Sequence, residues 1–120
     1  NRFGRIIMIG SVAVQSPKPQ IPAYAAAKGG VTSMVRALAV EVAPLGITCN
    51  VIAPGYIATE FTRALHTDEA FTERLMERVP AGRWGLPQDI APAAVYLASA
   101  AGAFVNGSVL TVDGGFLACG

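Results

Sequence analysis

The sequence predicts an α/β protein in which three short strands of a parallel sheet alternate with helices. Two observations predict it. Three brief apolar runs, Arg5 to Gly10, Ile47 to Ala53 and Val109 to Val112, lack the alternation of a half-exposed strand and read as strands buried on both faces. Between them lie longer stretches in which apolar residues recur at three- and four-residue spacing, the mark of a helix. The composition agrees. Hydrophobic residues make up 52% and charged residues only 14%, so most of the surface these elements carry must be buried. A length of 120 residues allows at most one domain.

The first strand ends at Gly10-Ser11. About a dozen residues follow before any helical pattern, and they include Ser16-Pro17-Lys18-Pro19. A strand-to-helix connection usually takes about 2–6 residues, and longer ones are often functional. A helix is predicted from Pro22, which suits a first turn, to Val42, with Val31, Met34, Val35, Leu38, Ala39 and Val42 as its core stripe. Pro44 and Gly46 stop it. Gly29-Gly30 cost a helix about 1 kcal/mol each. Either they serve close packing against a neighbour or a ligand, or they are tolerated defects.

The second strand ends at the turn Pro54-Gly55. Thr59 can cap the stretch after that turn, and helical turns are expected around Glu69 to Arg78, with Leu65, Phe71, Leu75 and Met76 as apolar contacts. Pro80 ends that less regular stretch. Pro87 opens a third helix, predicted to run to about Ala100 with Ile90, Ala91, Ala94, Val95 and Leu97 facing inward. Pro92 is expected to kink it. After the third strand, Asp113-Gly114-Gly115 turns the chain into its tail.

The chemistry concentrates at Tyr24-Ala25-Ala26-Ala27-Lys28. Side chains four apart share one helix face. A tyrosine titrates near 10 in water, and bringing it near neutrality takes on the order of 4 kcal/mol, which one desolvated cation can supply. In isolation such a pair is an ordinary surface tyrosine beside a snorkelling lysine. Its place in the chain changes that reading. Ligands of parallel α/β sheets bind at the carboxyl ends of the strands. Ser11 follows the first strand, Pro54 to Thr59 follow the second, and Tyr24 and Lys28 open the helix between them.

Other polar residues receive plainer readings. His66 reads as a surface or lid histidine, Arg63 as a surface pairing partner and Arg83 as a loop tether. Net charge is +1 with the basic residues spread along the chain, which gives no electrostatic case for nucleic acid or an anionic membrane. No apolar run approaches membrane-spanning length. Cys49 and Cys119 show no metal-ligand spacing, so no metal is expected, and they read as reduced thiols of a cytoplasmic protein. The start weakly imitates a signal peptide, but it opens on Asn and continues into the sheet pattern, so it reads as a fragment.

The full series resembles the short-chain dehydrogenase/reductase family. Ser11, then Tyr24-x-x-x-Lys28, then Gly46 through Gly55 with Thr59, Pro80 through Ala91, Asn106-Gly107 and Val112 through Gly115 carry the resemblance in order along the whole chain. Pro54 through Glu60, Arg83-Trp84-Gly85 and Phe104 through Gly107 are similar to the gluconate 5-dehydrogenase branch, which interconverts sugar acids and their keto forms. The resemblance implies a doubly wound, Rossmann-type sheet and hydride transfer between NAD or NADP and a small alcohol or ketone. It implies Tyr24 as acid/base, Lys28 as its cation and a ribose contact, and Ser11 as the group holding the substrate oxygen. It implies further cofactor contacts from Pro54 and Gly55, from the backbone of Ile57 and from Thr59. It also implies a homo-tetramer.

The family's glycine-rich phosphate turn is not in these residues. Residues 1–120 are therefore expected to be the C-terminal half of one dinucleotide-binding catalytic domain, holding strands five to seven of the family's sheet. The N-terminal half, with that turn, is absent from them. The isolated chain is expected to fold poorly, with an open strand edge, and to lack dehydrogenase activity. Two other readings stand beside the sugar-acid or polyol dehydrogenase: a 3-oxoacyl thioester reductase of the same family, and a non-catalytic half-domain that only assembles with a partner.

Overall fold

Ile6, Ile7 and Met8 put apolar side chains on both sides of a pleated backbone, and Cys49, Val51 and Ile52 do the same. These runs become β1 (Gly4–Ile9) and β2 (Ile47–Pro54), which with β3 (Val109–Val112) form one parallel sheet in the order β1–β2–β3. A computed structural model describes residues 2–120. Gly4 pairs with Ile47 and Ile9 with Ile52; Val51 pairs with Val109 and Pro54 with Val112. The central strand is the buried one, with Cys49, Val51 and Ile52 wholly covered. β1 is only half-buried, and no strand pairs with its outer edge among the described residues. The Cα radius of gyration is 15.5 Å. A compact domain of this length would give about 13–14 Å.

The first helix, α1 (Pro22–Val42), has the predicted bounds, with Pro22 in its first turn and Gly46 in the left-handed conformation past its end. Its buried face differs from the predicted stripe. Val35 and Ala39 pack on Cys49 and Val51, and Leu38 joins them, but Met34 is 44% exposed. Thr32 takes a core position instead, because its hydroxyl donates to the Lys28 carbonyl (3.0 Å) and carries no unmet polar demand inward. A Cβ added at Gly29 or Gly30 would meet open space, so no described neighbour requires either glycine.

Residues 59–79 fold into two short helices, α2 (Arg63–His66) and α3 (Glu69–Met76). Thr59 does not cap α2; Thr62 holds that position, and the Asp68 carboxylate caps α3 by accepting from the Phe71 N–H at 3.0 Å. α4 (Pro87–Ala98) stops short of the predicted end, and a separate 3-10 turn follows at Ala100–Gly102. It runs through Pro92, where Pro92 and Gln88 are both exposed and water can reach the carbonyl that proline leaves unpaired. Ile90, Ala93, Ala94 and Leu97 face inward, while Ala91 and Val95 are exposed, contrary to the predicted face.

Strand alternation sends Asn50 and Ile52 away from α1, to the face where α4 crosses all three strands. Asn50 ties down the loop before β3: its amide donates to the Val105 carbonyl (2.8 Å) and its carbonyl accepts from the Ser108 N–H (3.0 Å). Asn106 closes the same region from α1, accepting from the Cys49 N–H (2.8 Å) and donating to the Ala39 carbonyl (2.9 Å). These bonds fix the entry into β3, and because the sheet is parallel the carboxyl ends of its three strands lie together at the other end.

Candidate active site

The site begins where β1 ends. Gly10 is buried, and a Cβ there would come within 2.6 Å of Val51 Cγ1, so only glycine lets the chain turn against β2. Ser11 then caps a 3-10 turn, Val12–Val14, its Oγ accepting from the Ala13 N–H at 3.1 Å. That bond uses a lone pair and leaves the hydroxyl proton to be donated elsewhere. The connection to α1 carries Pro17, Lys18 and Pro19 and ends with Gln20 in the left-handed region (φ 76°).

Tyr24 stands in the first turn of α1, 39% exposed. Lys28 stands one turn on, its Nζ 5.8 Å from the Tyr24 ring centroid. The same ammonium donates to the Ile9 carbonyl at 3.0 Å, so the end of β1 fixes where the cation sits. Tyr24 and Ser11 line one cleft of about 260 Å³, together with Gly55, Ile57, Tyr56 and the lid residues Phe61, Thr62 and Leu65. Lys28 lies behind Tyr24.

The remaining candidates divide. Gly55 reaches the cleft, but its lack of a side chain answers a structural demand first: a Cβ would stand 2.7 Å from Asp113 Cβ. Pro54 ends β2 outside the cleft lining. Ile57 lines the cleft; its carbonyl accepts from the Thr62 hydroxyl (2.6 Å), and its backbone bridges to Gly85. Thr59 is not among the cleft-lining residues; its hydroxyl accepts from the N–H of Thr62 at 3.4 Å.

The lid rests on an aromatic hub that the sequence pattern does not reveal. Tyr56 lies 5.3 Å from Phe116, 5.7 Å from Trp84 and 6.1 Å from Phe71, ring centre to ring centre. Trp84 Nε1 donates to Thr72 Oγ1 at 3.0 Å. His66, the last residue of α2, packs edge-on to Trp84, and its Nε2 lies 3.2 Å from the Thr59 carbonyl. Arg83 forks onto Asp89 through two bonds of 2.8 and 2.9 Å. Those bonds, with the Leu86 N–H, hold the Asp89 carboxyl down at about 2. Arg63 pairs with Glu60 at the surface. Burial pushes the Cys49 thiol up, which keeps it protonated and inert. The described residues contain no cluster of three metal-ligating side chains, and none of their helices is long and apolar enough to cross a membrane.

The nicotinamide end of a dinucleotide fits what is present. Gly55 and Ile57 line the same cleft as Tyr24, and the Lys28 ammonium stands 5.8 Å from the centre of the Tyr24 ring. The glycine-rich turn for the diphosphate is not among the described residues.

A family model described as enoyl-(acyl carrier protein) reductase matches residues 1–117. The chain is 50% identical over 116 residues to the 5-keto-D-gluconate 5-reductase of Escherichia coli (strain K12), a match covering 97% of this chain and 46% of that one. It is 49% identical over 114 residues to a 3-oxoacyl-(acyl-carrier-protein) reductase of Haemophilus influenzae, covering 95% and 46%. Among solved structures it superposes on a gluconate 5-dehydrogenase from Burkholderia cenocepacia J2315 in complex with NADP and tartrate. The TM-score is 0.94 at 46% identity, over 98% of this chain and 46% of that one. The chain spans about half the length of the relatives it matches.

Proposed function

The chain belongs to the short-chain dehydrogenase/reductase family, and from that premise we propose that it is the C-terminal, acid/base half of an NAD(P)-dependent dehydrogenase acting on a sugar acid or polyol. One observation carries the reading. Ser11 and Tyr24, from opposite ends of a long loop, line one cleft, while Lys28 is pinned behind Tyr24 by the end of β1. An unselected surface tyrosine has no reason to share a cleft with Ser11 and also to stand beside a fixed ammonium. The half-length match and the open edge of β1 support a division in which the rest of the domain brings the dinucleotide-binding turn.

A bound nicotinamide supplies hydride chemistry. The residues of this chain handle the proton and the oxygen. The Ser11 hydroxyl donates to the substrate oxygen and orients it toward Tyr24. The Tyr24 hydroxyl protonates that oxygen during reduction and takes the proton back during oxidation. The Lys28 ammonium offsets the negative charge that develops on the tyrosine oxygen. Gly55 and Ile57 present backbone to the nicotinamide ring, and Lys28 reaches its ribose. Thr59 joins the cofactor contacts through its hydroxyl, which accepts from the Thr62 N–H and can still donate its proton. On this reading the complete protein is cytoplasmic and a homo-tetramer, and the 120-residue chain alone transfers no hydride.

In the complete natural chain, Tyr24→Phe is expected to cut kcat about a hundred- to ten-thousand-fold with 5-keto-D-gluconate and NADPH, at an unchanged melting temperature. Retained kcat overturns the assignment. The identity to a 3-oxoacyl-(acyl-carrier-protein) reductase and the apolar lid residues Phe61 and Leu65 favour a second reading, thioester reduction. A panel pairing 5-keto-D-gluconate with an acetoacetyl thioester separates the two by kcat/KM.

A further inference from the structure

We propose that Lys18 is the specificity residue of this site and binds the carboxylate of an acidic substrate, so that the cleft selects sugar acids over neutral polyols. The inference rests on the oxidoreductase reading and sharpens it. Lys18 lines the cleft that holds Ser11 and Tyr24, and that lining contains no other cation and no carboxylate. Its Nζ stands 5.7 Å from the Tyr56 ring centre and 5.8 Å from that of Phe71. No described side chain pairs with it: among the described residues the ion pairs are Arg63 with Glu60 and Arg83 with Asp89, and Lys18 donates no hydrogen bond to any of them. Its positive charge rests on two aromatic faces alone.

The loop around it is stiffened. Pro17 and Pro19 fix φ on either side of Lys18, and Gln20 turns the chain sharply into α1. The backbone that carries Lys18 is therefore restricted, and the two rings locate the end of its flexible stem. An exposed cation held only by rings gives way to a charge-assisted hydrogen bond, so a carboxylate entering the cleft captures it at little cost. Lys18 also borders a second hollow of about 220 Å³ that it shares with Arg74 and Arg78. Arg78 lies 4.5 Å over the Phe116 ring. Three cations around the same aromatic hub attract an anion to this side of the lid. A neutral polyol gains nothing from them.

The test uses the complete natural chain with NADPH present, a cofactor form that cannot react with an alcohol, and reads binding by calorimetry, with D-gluconate and sorbitol as acidic and neutral probes. Lys18→Met keeps the stem over the rings and removes the charge; Lys18→Arg restores the charge. Lys18→Met is expected to weaken gluconate binding at least tenfold, to leave sorbitol binding unchanged and to flatten the salt dependence, with Lys18→Arg recovering most of the loss. Where turnover is measured, the loss falls on KM and not on kcat. Equal gluconate binding by Lys18→Met and the parent overturns the proposal. So does an equal loss on both probes, or a parent that does not bind gluconate. Because binding is read without turnover, a chain that binds gluconate through Lys18 but never reduces NADP would sink the dehydrogenase reading and leave this one standing.

Discussion

Two hydrophobic clusters of opposite make meet at the site. The floor is aliphatic: Val35, Cys49 and Val51 are wholly covered, Ala39 nearly so, and Asn50 and Asn106 stitch its edges with four side-chain hydrogen bonds to backbone. The lid is aromatic: Leu75, Val79, Val12 and Phe116 are buried, but Tyr56, Phe71 and Trp84 around them are only half-covered, and Lys18 and Arg78 lie over their rings. A dry aliphatic layer tied by four amide hydrogen bonds holds strand register. A half-wet aromatic layer tethered by cations and one indole bond has a smaller barrier to opening. Ser11, Tyr24 and Lys28 hang from the floor, while Phe61, Thr62 and Leu65 on the facing side of the cleft belong to the lid.

That contrast breaks or holds on paired truncations in the complete natural chain. Ile52→Ala removes a fully buried side chain from β2 and is expected to cost about 2–5 kcal/mol of global stability. Leu75→Ala removes a comparable side chain from α3, yet it is expected to act mainly on the lid. Hydrogen exchange should quicken across residues 63–79 while β2 amides keep their protection. Equal shifts in the melting temperature, with uniform loss of protection, would show one cooperative unit instead of two.

Asn50→Leu comes next. It leaves the Val105 carbonyl and the Ser108 N–H without their partner, at about 1–3 kcal/mol for each group that stays buried and unpaired. The loss should appear in urea melts as a lower midpoint at unchanged slope. Trp84→Phe is the lid counterpart. It keeps most of the aromatic packing and removes the bond to Thr72, so about 1 kcal/mol is expected, again read as faster exchange in α3.

The floor was the legible part of the sequence, and the contrast explains why. Continuous apolar runs and the stops at Pro44 and Gly46 come from local patterns, so the strands and α1 emerge within a residue or so of their bounds. Ser11, Tyr24 and Lys28 could be placed at one edge because parallel strands put all their carboxyl ends together. Within α1 the hydropathy pattern misleads where side-chain chemistry overrides it: Thr32 satisfies itself and goes in, while Met34 stays out. The lid was opaque because its partners are distant in sequence. Nothing near Gly55 announces Asp113, and nothing near Tyr56 announces Phe116. Lys18 was visible only as a lysine between two prolines; the rings beneath it come from other parts of the chain.

The smallest expected effect tests the lid's far hinge. Arg83 and Asp89 close the connector into α4 through a forked pair exposed to solvent. The paired guanidinium, and after it the Leu86 N–H, lower the Asp89 carboxyl from an ordinary 3.8 to about 2. A carboxyl depressed on folding contributes stability that is present above its unfolded value and disappears as pH falls through its folded value. The contribution should therefore be constant from neutrality down to about pH 4 and vanish near pH 2. Solvent and salt screen the pair, so its size is modest. Asp89→Asn keeps the shape and discards the charge. The gap between parent and variant, followed by hydrogen exchange in residues 83–90, should close across that acid window while the floor amides show no gap at any pH. A gap that persists unchanged to pH 2 would mean that Asp89 holds the hinge through its shape and not its charge, and would remove the electrostatic tether from the lid's side of the comparison.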